Sequence, residues 1–285
     1  MTVNNVDKKI WEKLFTPFKY TIYIFLIYNG YLFFIDDWAA SSQTFSHGVN
    51  FANAIEAFTA SIDTFNWIIL LLMFELETWV LSDEVLEKKP LKWSLMAIRI
   101  ICYSLIIYAF YGYIAKLLLF YGVISFNAEN ICNLVDGKLA MVVTMDEYVI
   151  LTAENCMRLH GLELFKINGQ NLIADSASLL TSQRRAWIDV VNSGAWLGVV
   201  VILEVDVWFQ IKGLLKGTLL RVSTIIKVIL YSALIICAFY WGILGVILDT
   251  WDALLWILAF VFIELNLFKW QQEILEAASS GQPTS

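Results

Sequence analysis

Charge is what this sequence has least of. Asp, Glu, Lys and Arg make up only 16% of its 285 residues, where soluble domains average roughly a quarter. That shortage argues against a soluble domain. Basic residues are also outnumbered, giving a net charge of −7 and a pI near 4.9, so nucleic acid, which needs a basic footprint, is not an expected partner. The only two histidines, His47 and His160, lie outside the apolar runs, which argues against an intramembrane haem held by His. The four cysteines form no Cys-x-x-Cys pair. No His-Glu-x-x-His, no Gly-rich phosphate loop and no Gly-x-Ser-x-Gly occurs, so no enzyme, cofactor or metal site is expected. His160 has Arg158 and Glu163 nearby, but a lone loop histidine reads as a surface residue.

What the chain has in abundance is apolar length. Hydrophobic residues reach 59% and the mean hydropathy is +0.68. A helix crossing a bilayer needs about 20 mostly apolar residues, and six such segments stand out, at 19–36, 64–81, 93–124, 187–211, 222–248 and 252–270. The lipid bilayer is therefore the expected partner, together with a second copy or another subunit of a membrane complex. Residues 1–18, with Lys8, Lys9 and Lys13 among Ile10, Trp11, Leu14 and Phe15, read either as an amphipathic surface helix or as a partly disordered basic tail. The tail 271–285 is polar and reads as disordered.

The segments repeat. Trp67 is followed at +8 by Glu75, then by Glu77 and Trp79; Trp196 by Glu204, Asp206 and Trp208; Trp256 by Glu264, Asn266 and Phe268. Twelve positions before each glutamate stand Asp63, Asn192 and Asp252. These second helices alternate with first helices opening on Lys19, Arg99 and Lys227, with Tyr23, Tyr103 and Tyr231 at +4. The pattern predicts an all-α polytopic membrane protein of six spans, built as three two-helix hairpins with pseudo-threefold symmetry. The hairpins are 19–81, then 93–124 with 187–211, then 222–270. Between the halves of the second lies 125–185, a polar insert predicted to be a small β-rich domain. It has strand-like runs at 139–144 and 148–152 and a hairpin at 164–174 turning on Asn168-Gly169. Cys132 and Cys156 fall in this insert and are predicted to form a disulfide.

Three two-helix repeats with both termini on one side resemble the mitochondrial carriers in outline. The carriers' Pro-x-Asp/Glu-x-x-Lys/Arg motif is missing, since none of Pro17, Pro90 and Pro283 begins one, and no residue roles carry over.

Basic residues cluster in the N-terminal segment and in the two loops following the second helices, at Lys88, Lys89 and Lys92 and at Lys212, Lys216 and Arg221. By the positive-inside rule both termini are cytoplasmic and 125–185 is extracytoplasmic, in a bacterial inner (plasma) membrane. Five acids and three bases then lie at membrane depth, each costing about 2.5–3.5 kcal/mol if left unpaired at mid-bilayer. The candidate ion- or proton-binding residues are Glu75, Glu204 and Glu264, with Glu77 and Asp206; Lys19, Arg99 and Lys227 are their charge partners, and the equal alternative is that these acid–base pairs only staple the hairpins together. Two functions follow. One is a transport or channel component for a cation or proton. The other is a non-transport scaffold or assembly subunit whose outer domain binds a partner. Asp63, Asn192 and Asp252 read as N-caps, and the three tryptophans as an interfacial belt.

Overall fold

A computed structural model describes the backbone of residues 3–44, 48–50, 53–81, 85, 88–127, 130–135, 139–212, 214 and 216–261, with the side chains of these apart from 3–15, 43, 44, 78, 79, 210 and 211. The predictions for Glu264, Asn266, Phe268 and the tail fall outside the described residues, as does the apolar face expected of residues 1–15. The chain divides into two units, residues 1–29 with 234–285 and residues 30–233.

The protein is mostly helical. Helix α1 runs Val3–Thr44, α2 Ala54–Ala57 and α3 Thr59–Glu75, and α3 passes directly into a π-helical turn, Leu76–Val80. Helix α4 spans Lys89–Tyr121, α5 Ser176–Ile211 and α6 Thr218–Ile243. Residues 247–261 form the described part of a seventh helix, α7. Proline starts α4, where a missing N–H costs nothing. The basic segment and the first span, expected as separate pieces, are one continuous helix in α1. It carries on past Asp36 and Asp37, the expected stop, because Asp37 is held inside the protein: the backbone N–H and hydroxyl of Ser61 both donate to its Oδ2, at 2.9 and 2.6 Å.

Among the described residues four helices are long and apolar enough to cross a membrane: Thr16–Ser42, Lys89–Tyr121, Ser176–Phe209 and Thr218–Ile243. Six were expected. Helix α3 has 17 residues before its geometry changes, and α7 runs out of the described region. Only 22–33% of each of the four spans is buried within the protein; large apolar side chains such as Ile107, Leu118, Ile229 and Phe239 are left outside. A soluble monomer rarely exposes so much contiguous apolar surface, whereas lipid tails would cover it. The helices thus point to an integral membrane protein.

Where helices meet, small residues let them approach. A Cβ on Gly112 of α4 would stand 2.7 Å from Thr59 Oγ1 of α3, closer than van der Waals contact allows, so glycine sets this crossing.

Between α4 and α5 lies a five-stranded sheet in the order β1-β4-β5-β2-β3. The strands are β1 Val123–Phe126, β2 Ala140–Val142, β3 Tyr148–Ile150, β4 Leu164–Ile167 and β5 Leu172–Asp175. Neighbours are antiparallel except β2 with β5. The β4–β5 hairpin turns at Asn168-Gly169, with Gly169 at φ +76°, a left-handed conformation suited to glycine. Alternation sorts the two faces. Ala140, Val142, Ile167, Leu172 and Ala174 pack on Leu117 and Phe120 of α4 and on Leu179 and Ala186 of α5. Met141, Leu164 and Ile173 pack on Ile131, Leu151, Cys156 and Leu159. That second layer holds the Cys132–Cys156 disulfide, Cα–Cα 5.2 Å, which joins the short 3-10 turns Ile131–Leu134 and Cys156–Leu159. So small a sheet would be marginal alone; it is stabilised by resting on the ends of two long helices. The β layer therefore begins at Val123, inside the expected span, and α5 starts at Ser176, well before the expected 187.

Candidate functional site

The acids and bases predicted at membrane depth separate into two kinds. Glu77 lies in the π turn after α3, and its Oε2 receives Arg99 Nη2 of α4 at 2.7 Å. Asp206 of α5 is buried; its Oδ2 receives Lys227 Nζ at 2.9 Å and the Ser223 hydroxyl at 2.6 Å, both from α6. Ser223 and Lys227 are four apart, so they stack on one face of α6 and converge on one oxygen. The other oxygen, Asp206 Oδ1, is buried without a hydrogen-bond partner among the described residues. In each case the acid two residues after the glutamate binds the base of the next helix.

The glutamates themselves sit in unlike surroundings. Glu75, the last residue of α3, is buried, at 5% exposure. Glu204 is exposed on α5 and meets the hydroxyl of Tyr103, which donates to Oε1 across a long 3.4 Å. Lys19 is 1% exposed on α1, with its ammonium 5.0 Å from the Tyr20 ring.

The π turn changes the angle at which Glu77 leaves the helix. The Leu81 N–H donates to the Leu76 carbonyl, five residues back, at 3.0 Å, so the α-helical spacing assumed between Glu75 and Glu77 ends at Glu75. Such turns are frequent at functional sites, and no sequence pattern marked this one.

Asp63, Asn192 and Asp252 are not N-caps. The helices begin earlier, at Thr59, Ser176 and residue 247, and all three lie within them. Asp63 receives the Trp67 indole N–H at 2.9 Å and the Tyr113 hydroxyl at 3.2 Å. Asp252 receives the Asn29 amide at 2.8 Å, and Asn192 Oδ1 is buried without a hydrogen-bond partner among the described residues. Nor do the tryptophans form an outward belt: Trp67, Trp196 and Trp256 are all buried, and the Trp67 and Trp196 rings meet at 6.4 Å.

One charged group escaped the sequence reading. Lys116 of α4 donates to Asp146 Oδ1 at 2.5 Å, and Arg185 of α5 reaches Asp146 Oδ2 at 3.3 Å. Burial pushes the Asp146 carboxyl upward, but the two cations outweigh it and hold the group below the ordinary carboxylate value. A lone lysine in the apolar stretch Ala115 to Phe120 was the available clue. No group of His, Cys, Asp and Glu able to hold a metal occurs among the described residues.

No family model, curated protein or solved structure matches the chain.

Proposed function

We propose that this integral membrane protein is a transport or channel component that moves a cation or proton past Glu75, Glu204 and Glu264. The supporting observation is the division of partners. Arg99 and Lys227 are engaged by Glu77 and Asp206, so neither of these two helix-to-helix pairs uses one of the glutamates. Intramembrane carboxylates are expensive and mark ion or proton paths. In this reading the chain has six spans in three hairpins, both termini are cytoplasmic and the sheet is extracytoplasmic. The Glu77–Arg99 and Asp206–Lys227 pairs are equivalent links from one hairpin to the next.

The test is flux into proteoliposomes under Na⁺, K⁺ and proton gradients, for the wild type and for Glu75→Gln, Glu204→Gln and Glu264→Gln. Ion sites predict normal folding with flux reduced in at least one variant. A wild-type protein that conducts nothing under any gradient ends the transport reading.

The second reading, a scaffold or assembly subunit, draws on the disulfide-linked layer of the sheet. Met157 and Leu162 are 65% and 50% exposed there, apolar surface available to a partner. Absence of flux together with co-purification of a second membrane protein would favour it.

A further inference from the structure

The ends of α1, α2 and α4 and the edge of the sheet enclose a cleft of about 240 Å³. It stays open because small residues, Ala40, Ala57 and Ala115, line it where three helices would otherwise fill the space. Its polar lining is unbalanced. Asp37 is buried, and both of its hydrogen bonds, from the Ser61 N–H and hydroxyl, go to Oδ2; no bond among the described residues reaches Oδ1. Glu56 is exposed and forms no ion pair or hydrogen bond among them. The cation of the lining, Lys116, donates to Asp146 and also attracts Asp37, so one ammonium is shared between two carboxylates and Glu56 is left over. Tyr148 adds an aromatic ring fixed in place, its hydroxyl donating to the Met145 carbonyl at 2.6 Å.

We propose that this cleft binds a small organic cation, an ammonium group on a compact apolar body. Asp37 Oδ1 and the Glu56 carboxylate accept the ammonium N–H groups, which is the stronger, charge-assisted kind of hydrogen bond. The alanines and the Tyr148 ring contact the body, and a ring face also favours a cation. An anion would meet two carboxylates with no free base. A metal ion would find two carboxylates where a dedicated oxygen site uses six or more ligands. The lining includes neither Glu75 nor Glu204, and the inference does not require transport.

The experiment is isothermal titration of the full-length protein in nanodiscs with n-butylammonium chloride, against sodium butyrate and calcium chloride. The ammonium should bind saturably and the butyrate should not. Glu56→Gln, at an exposed and unpaired position, should melt like the wild type and bind about tenfold more weakly, since one charge-assisted hydrogen bond is lost. As a second readout, modification of Ala40→Cys by a methanethiosulfonate reagent should be slowed by n-butylammonium and unaffected by butyrate. Equal affinity in wild type and Glu56→Gln, binding of butyrate, or calcium binding that n-butylammonium does not displace would each overturn the proposal. Because binding is read without flux, its failure leaves the transport reading standing, and the reverse also holds.

Discussion

Asp206 and Glu204 are two residues apart on one helix, both are acids, and they predict opposite mutational behaviour. Asp206 is buried, with Lys227 and Ser223 on one oxygen and, among the described residues, no hydrogen-bond partner on the other. Asp206→Asn keeps the shape but leaves the Lys227 ammonium without a counter-charge, and breaking a buried pair from one side costs about 3–5 kcal/mol. Adding Lys227→Met should recover much of that loss, because the stranded charge is removed. Glu204→Gln loses only a 3.4 Å contact with Tyr103 and should cost under about 1 kcal/mol. Thermal unfolding in detergent of the three variants checks this. An Asp206→Asn protein as stable as the wild type would mean that the pair does not hold α5 to α6. The sequence could mark all of these residues, since charges in apolar runs are conspicuous, but it could not assign them. Which acid faces which base depends on how each helix is rotated against its neighbour, and a π turn at Leu76–Val80 alters that rotation without any residue type that demands it.

At the scale of elements, the sheet was legible where short-range chemistry decides and illegible where distant partners do. The Asn168-Gly169 turn and the Cys132–Cys156 pair are local constraints, and both were read from the sequence. Strand β1 was not: Val123–Phe126 continues an apolar helix and becomes a strand only because β4, some forty residues later, pairs with it. The start of α5 had a readable cap that went unused. Asp175 accepts the Ala177 N–H at 2.8 Å and the Ser178 N–H at 3.1 Å, and the Ser178 hydroxyl donates to its second oxygen, as an N-cap does. Asp175 and Asp146 together give the sheet a pH dependence. Partial burial raises the Asp175 carboxyl, but the Ser178 hydroxyl and the backbone N–H groups outweigh it, so that it too lies below its usual 3.8. Both groups bind protons more weakly folded than unfolded. Their stabilisation is therefore complete above the ordinary value of 3.8 and is lost as the pH falls from there through the lowered folded values. Melting followed by near-ultraviolet circular dichroism should fall steeply between pH 4 and 2, and less steeply in Asp146→Asn. A melting temperature unchanged down to pH 2 would mean these carboxylates do not anchor the β layer.

For the whole molecule the open quantity is how many times the chain crosses the bilayer. Composition points to a membrane protein, and the structure agrees through long helices whose apolar side chains are largely exposed among the described residues. Composition could not separate a lipid-facing span from a helix buried among others. Helix α3 decides the number: its 17 residues bury Trp67, Ile68, Leu71 and Met73, and with the π turn it continues unbroken to Val80. Crossing needs about 20 residues, so α3 reaches the far side only if the π turn is part of the span. The proposed topology requires this, because it puts the basic loop of Lys88, Lys89 and Lys92 on the cytoplasmic side and the sheet outside. If α3 instead stopped short, that loop and the start of α4 would lie on the same side as the α1–α2 connection. A cysteine introduced at Ser82, just past the π turn, distinguishes the two; the native free thiols, Cys102 and Cys237, are buried and give little background. With six spans, Ser82→Cys and Ser279→Cys should both resist an impermeant maleimide applied to intact cells and react once the membrane is permeabilised, while Asn168→Cys in the sheet turn should react at once. Labelling of Ser82→Cys from outside would remove α3 as a span, break the three-hairpin repeat, and with it the equivalence of Glu75 and Glu204.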